Sequence, residues 1–247
     1  MARKFGARQL KRESSPSFWP LHRKEATWAP MTRPGVHPRA RSVPLNVVIR
    51  DMMKWAEGGK QAARIIYDSK VKIDGLTRRD KRRAIGLMDV IQVQGINQAY
   101  RLLPKPRRGL SLLPISPEET SYKLCKITGK STLPGGKVQL NLHDSRNIIL
   151  DAKTASSHEN GIQVGGTLQI ALPTQRIVNY FPFQDGNIGL VTDGRNEGLY
   201  GRITSISPGT ESRPRIARLE TTGESFETPA EYIITIGTDR PLVSMEK

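Results

Sequence analysis

From residue 111 onward, glycine- and proline-marked turns recur so closely that no apolar pattern at helical spacing lasts beyond about two turns. Alternation with period two takes its place. Val138, Leu140 and Leu142 alternate with Gln139, Asn141 and His143, and "TLQIAL" does the same through Leu168, Ile170 and Leu172. Pro134-Gly135-Gly136 and Gly165-Gly166 mark turns. The final third repeats the scheme: "NIGLVTDGRNEGLYGRITSI" is two strands around a glycine-rich bend, followed by "RIARLET", a Thr222-Gly223 turn and "EYIITIG". Short strands this closely spaced build small antiparallel sheets or barrels and leave no room for a large catalytic sheet. With 36% hydrophobic residues, small and separate cores are expected.

The first 110 residues differ in charge. They hold 25 Lys/Arg against 8 Asp/Glu, a net of +17, whereas residues 111–247 hold 14 against 15, a net of −1. A field so placed favours a polyanion, either nucleic acid or an acidic membrane face. No window approaches 18 consecutive apolar residues, so nucleic acid leads and no membrane partner is expected. The lone Cys125 excludes an internal disulfide and a multi-cysteine zinc site, and points to a reducing, cytoplasmic setting.

Residues 1–41 read as a basic extended arm: Arg3, Lys4, Arg8, Lys11, Arg12, Arg23, Lys24, Arg33, Arg39 and Arg41 face only Glu13 and Glu25. Prolines 16, 20, 30, 34 and 38 break any long helix, and without apolar periodicity the arm cannot fold alone. Deleting residues 1–40 is therefore expected to leave the rest folded. Trp19 and Trp28 either stack on bases or fold back on the next domain. Residues 44–57 read as a helix with Leu45, Val48, Ile49, Met52 and Ala56 on one face, stopped by Gly58 and Gly59. A second helix over Lys60 to Asp68 buries Ala62, Ile65 and Ile66 and presents Lys60, Arg64 and Tyr67 within about 60° of one another. "KVKIDGLT" is a hairpin turning at Asp74-Gly75. "RRDKRR" follows, and "GLMDVIQV" supplies a turn and a strand. Lys60, Arg64, Lys70, Lys72, Arg78, Arg79, Lys81, Arg82 and Arg83 thus gather on one small scaffold. Residues 102–119, with four prolines, read as a linker.

Several chemistries are missing. A phosphate loop needs glycine at position 54 and Ser or Thr at 61, where Lys54 and Gln61 stand. His22, His37, His143 and His158 are too dispersed to form a metal ligand set, and His143-Asp144 in "HDSRN" reads as turn chemistry. No nucleophile elbow is present. No cofactor, metal or small-molecule substrate is expected. The basic cluster lacks a reading head for the DNA major groove, so DNA is not the partner; structured RNA, held through phosphates and shape, fits better.

Residues 58–93 resemble the S-four RNA-binding domain: the helix 60–68, "KVKIDG" and "GLMDVI" stand where that module's helix, hairpin and closing strand stand. The order of "LKRESSPSFWPLHRKEATWAP", "RPGVHPRARSVPLNVVIR", "EETSYKLCKITGK", "VQLNLHDSRNII" and "GNIGLVTDGRNEGLYGRI" resembles the small-subunit ribosomal protein family four-e of archaea and eukaryotes, from about residue 8 to 243, and the length is similar to archaeal members. Residues 186–206 resemble a KOW motif, with Gly194, Arg195, Asn196, Gly198 and Gly201 at its turn. Gln9 stands where the family's arm usually has histidine, Ser145 where a glycine follows "HD", and Glu197 and Leu199 at positions often apolar and basic.

The resemblance implies an α+β multidomain chain: the arm over 1–41, a small α/β S-four-type domain over 42–110, a central β-domain (a small barrel) over 111–175 and a KOW-containing, SH3-like β-barrel over 176–247. It implies no catalysis. The implied role is a structural one on the ribosome in the cytoplasm, with small-subunit rRNA and neighbouring ribosomal proteins as partners. The KOW turn would meet a protein or only the RNA backbone. An RNA-modifying enzyme of the pseudouridine-synthase kind, which can carry the same module, is the alternative.

Overall fold

The computed structural model describes residues 9–96, 98–151, 161–210, 213–221 and 223–245. It is mostly β, with few helices, and all named strand pairs are antiparallel. In the arm, β1 (Leu10–Lys11) pairs with β2 (Trp28–Ala29). After it come β3 (Ser42–Pro44), α1 (Leu45–Val47, widening into a π-turn over Val48–Met52) and α2 (Gly59–Tyr67). β4 (Val71–Ile73), β5 (Leu76–Thr77), β6 (Ala84–Gly86), β7 (Val90–Val93), β8 (Ala99–Lys105) and β9 (Gly109–Ile115) follow. Their main sheet runs β5-β4-β7-β8-β9, and β3 pairs with β6.

A second sheet, β12-β11-β10-β13-β14, is made of β10 (Tyr122–Leu133), β11 (Lys137–Leu142), β12 (Asn147–Asp151), β13 (Thr167–Ala171) and β14 (Ile177–Phe181). A third, β18-β17-β16-β15-β19, is made of β15 (Ile188–Val191), β16 (Tyr200–Ser207), β17 (Ile216–Glu220), β18 (Ser225–Pro229) and β19 (Ile233–Gly237). Among the described residues each is an open order of hydrogen-bonded strands.

Four expectations change. The first helix ends near Met52, and Lys54 takes the left-handed turn (φ 56°), a role expected of the glycine pair. Gly58 instead caps the start of α2 in extended conformation, and Gly59 is its first residue. The stretch read as a linker is mostly the hairpin β8–β9, paired from Ala99↔Ile115 to Lys105↔Gly109. Its prolines are tolerated because Pro114 lies on an edge strand and Pro104 lies beyond the last partner on β7.

The arm, third, is not a bare extension. Leu10, Trp19 and Ala29 are buried in the same core as Leu45, Ile49, Ile66 and Ile73, and the Trp19 indole donates to Ser42 O at 2.8 Å. Of the two tryptophans, Trp19 folds back and Trp28 stays 53% exposed. At Gly86, an added Cβ would lie 2.5 Å from the His37 ring, so the arm crosses this strand at backbone distance. Deletion of the arm would open the core. Finally, the cores are joined: one cluster unites Met88 and Leu103 of the first unit, Leu124 of the second sheet and Ile188, Leu190, Ile234 and Ile236 of the third.

The two signals with local causes appear as expected. Ala62 and Ile66 of α2 are buried, Ile65 is partly so, and Asp74 and Gly75 both take positive φ at the β4–β5 turn.

Candidate nucleic-acid interface

The front of α2 carries exposed Lys60, Arg64 and Tyr67, one turn apart, because the buried Ala62 and Ile66 fix the opposite face. Beside it runs the basic loop 78–83. Its backbone is held by the first residues of α1 and by the arm: Asn46 N donates to Lys81 O, Leu45 N to Arg83 O and Arg33 N to Arg82 O, at 3.0, 2.9 and 2.8 Å. Lys81 therefore reaches the same cleft, of about 640 Å³, that Asn46, Lys60, Arg64 and Tyr67 line. Burial and then the charge of Arg78 lower the pKa of the Arg83 guanidinium, against the opposing pull of Asp89 and Asp74.

The other expected residues divide. Arg79 and Arg82 are exposed, with Arg79 donating to Ser69 Oγ at 2.6 Å; Arg78, Arg83 and Lys72 are partly covered; Lys70 lies 3.7 Å from Asp68. In the arm, Lys11, Arg23, Lys24 and Arg39 are exposed, while Arg33 and Arg41 pair with Asp80 and Asp193. Arg12 is buried and donates to His22 O and Glu25 Oε2 at 2.7 and 2.9 Å, so it serves packing rather than a ligand. Arg3, Lys4 and Arg8 lie outside the described residues.

Arg107 and Arg108, exposed at the β8–β9 tip, escaped the sequence reading because that stretch looked like a linker. They border a second, larger cavity of about 1280 Å³ with Phe18, Arg41, Asp193 and Glu197, where cations and carboxylates are mixed. Burial and the neighbouring Asp193 raise the pKa of Glu197.

The glycine-rich turn between β15 and β16 faces inward at one point. Gly198 (φ +83°) sits where an added Cβ would lie 2.6 Å from Pro106 N and Cδ, so the turn abuts the β8–β9 tip of its own chain. Gly194 also takes positive φ, Asn196 Nδ2 donates to Glu227 O at 3.3 Å, Arg195 is exposed, and Gly201 faces the Glu220 backbone.

Not all positive charge is on the surface. Lys123, fully buried on β10, lies 3.2 Å from Asp74 and 3.1 Å from Asp144 and donates to Asp89. Arg146 bonds Asp74 and Asp144, His37 Nε2 lies 3.0 Å from Asp89, and Asp89 and Asp74 accept from Gly86 N and Val90 N. Burial opposes the Lys123 charge, yet Asp89, Asp74 and Asp144 hold its pKa well above the ordinary value. Asp89 is held below the carboxylate range against burial by Lys123 and His37, and Asp144 likewise to about 2 by Lys123, His143 and Arg146. The cluster joins the arm, the first sheet and the second sheet.

Lys126 makes the next tie: its Nζ donates to the carbonyls of Ala230, Glu231 and Ile233 at 2.9, 2.8 and 2.7 Å, with burial lowering its pKa to about 8. Burial lowers His143 to about 4; its Nδ1 accepts from Lys126 N at 3.2 Å, which leaves Nε2–H for Leu87 O at 3.3 Å. Cys125, His143 and Asp144 offer ligand atoms within 4.8 Å of one another. Lys123 and Arg146 already occupy the Asp144 carboxylate, and burial with Asp144 raises the thiol pKa. The trio fits a hydrogen-bonded core better than a cation site.

Comparison with known proteins agrees on one family. Residues 96–177 match the model described as ribosomal family S4e, and residues 4–40 match the RS4NT (NUC023) domain. The chain is 41% identical over 242 residues to the small ribosomal subunit protein eS4 of Desulfurococcus amylolyticus, covering 97% of this chain and 96% of that one. It is 38% identical over 239 residues to the eS4 of Methanothermobacter thermautotrophicus, covering 96% of each. The crystal structure of the 30S ribosomal protein S4e from Thermoplasma acidophilum superposes with a TM-score of 0.68 at 33% identity, over 80% of this chain and 96% of that one.

Proposed function

The chain belongs to ribosomal family S4e, and on that premise we propose that the front of α2 and the 78–83 loop form its rRNA-binding surface. The protein is a structural constituent of the small ribosomal subunit. It is not an enzyme: the relatives are ribosomal proteins, which leaves the RNA-modifying alternative without support. Its work is neutralising phosphates and fixing local RNA shape. The observation that carries this is similarity to eS4 proteins across nearly the whole chain.

Residue by residue, Lys60, Arg64 and Lys81 contact the RNA backbone from the α2 cleft, Lys70, Lys72, Arg78, Arg79, Arg82 and Arg83 extend the surface, and the exposed arm cations reach adjoining RNA. The S-four-type module expected over 42–110 takes in the rest of β9 to Ile115, the central β-domain expected over 111–175 takes in β14 to Phe181, and the KOW-containing, SH3-like unit expected over 176–247 follows it. The contact between Gly198 and Pro106 supports a mainly structural role for the KOW turn. The partners are small-subunit rRNA and neighbouring ribosomal proteins, and the site of action is the ribosome in the cytoplasm.

The test is salt-dependent binding of a small-subunit rRNA transcript to the K60E/R64E double variant. Loss of two phosphate contacts lowers affinity at least about tenfold near 0.1 M salt and reduces the slope of log K against log salt by about 2. Unchanged affinity and slope would reject α2 as the contact.

A further inference from the structure

Building on that assignment of the α2 front to RNA, we propose that the cleft at the start of α2 is a subsite for one backbone phosphate together with a ribose 2′-hydroxyl, the hydroxyl being read by Asn46. Gly58 supplies no side-chain cap, so the first N–H groups of this nine-residue helix lack one. A Cβ added to Gly59 would lie 3.5 Å from Arg50 Nη1 and 3.6 Å from Asn46 Nδ2, so two further donors border the space beside it. Arg50 bonds Asp51 through Nε and Nη2, which directs Nη1 toward Gly59. Lys60, Arg64 and Lys81 line the same cleft. Uncapped N–H groups, a helix N-terminus and several cations select an anion with multiple acceptor oxygens, as a phosphate has.

Asn46 adds a requirement that a phosphate alone does not meet. The residue is 8% exposed, lines the cleft, and its Oδ1 has no hydrogen-bond partner. An unpaired buried acceptor is costly, so it calls for a donor beside the bound anion. A phosphodiester oxygen cannot donate. In RNA the neighbouring ribose supplies a 2′-OH within a few bonds of the phosphate, and in DNA that donor is absent. A small turn of the Asn46 amide toward the cleft lets Oδ1 accept from it while Nδ2 remains beside the phosphate.

The experiment compares a small-subunit rRNA transcript with the same transcript made from 2′-fluoro nucleotides, which keep A-form sugar pucker and lack the hydroxyl donor, using full-length wild type and N46L. Wild type prefers the 2′-hydroxyl RNA by roughly three- to tenfold, the worth of one hydrogen bond. N46L loses that preference; without Nδ2 beside the phosphate it also binds the 2′-fluoro RNA a few-fold more weakly than wild type, and a far-UV circular dichroism spectrum matching wild type's shows that the variant is folded. A preference unchanged in N46L, or no preference in wild type, overturns the subsite even if salt-dependent binding persists. Binding by wild type that ignores salt overturns the RNA assignment of α2 as well.

Discussion

Replacing Lys123 with methionine tests the buried ion cluster. Lys123 is wholly buried and meets three carboxylates, at 3.2 Å from Asp74, 3.1 Å from Asp144 and in contact with Asp89. In K123M, Arg146 still compensates Asp74 and Asp144, and His37 and Gly86 N still bond Asp89, but one negative charge loses its partner. Breaking one side of a buried pair costs about 3–5 kcal/mol. That is a large share of the roughly 5–15 kcal/mol of a typical domain.

The pH dependence gives a sharper check. Asp89 and Asp144 have lowered pKa values in the folded wild type, so their contribution is complete above the unfolded carboxylate value near 4 and is lost as pH falls through the folded values. In K123M a carboxylate gains a proton on folding, so its deficit relative to wild type shrinks between pH 7 and pH 5, by up to about 1.4 kcal/mol per pH unit. Urea unfolding at several pH values measures this, with exposed K60M as a control within about 0.5 kcal/mol of wild type. A K123M deficit below about 1 kcal/mol, or one constant over that range, would refute the cluster.

W19A removes a buried indole and its bond to Ser42, and should cost about 3–5 kcal/mol; deletion of residues 1–40 should give a chain with a broad, early unfolding transition by calorimetry. His143 has its folded pKa lowered to about 4, below the unfolded value near 6.5, so its contribution is complete above about pH 6.5 and lost as pH falls toward 4. Between these pH values wild type should lose about 1–3 kcal/mol relative to H143Q; parallel profiles would contradict the burial. Ser145 sits at φ 59°, and S145G should raise stability by about 0.5–1 kcal/mol by relieving left-handed strain in the turn, as a thermal melt would register.

What the sequence made legible is what has a local cause. The α2 face is written in the spacing of Ala62, Ile65 and Ile66, and the β4–β5 turn in Asp74-Gly75, a pair that tolerates positive φ at both positions. The arm's docking is not local: Leu10, Trp19 and Ala29 are single apolar residues without a period, and their partners lie on α1, α2 and β4. Prolines misled over residues 102–119 because a proline removes only one donor, and an edge strand does not need it. Lys123 was hidden by its neighbourhood. In "SYKLCK" it looks like a solvated strand position, whereas Leu124 packs into one core and Cys125 into another, so β10 is covered on both faces. Only carboxylates at positions 74, 89 and 144 make its burial tolerable. The α2 cleft was legible as to its cations but not as to Asn46, which enters through the backbone bond to Lys81.

On the proposed function, rRNA holds one copy of this chain in each small ribosomal subunit. The decisive measurement is sedimentation, at low and at high salt, of extract from cells producing wild type or K60E/R64E. Wild type should migrate with small subunits at one copy per particle at low salt and be partly stripped at high salt, with the double variant lost from the particles at lower salt. Wild type remaining at the top of the gradient under all conditions, or a double variant retained as firmly as wild type, would contradict it.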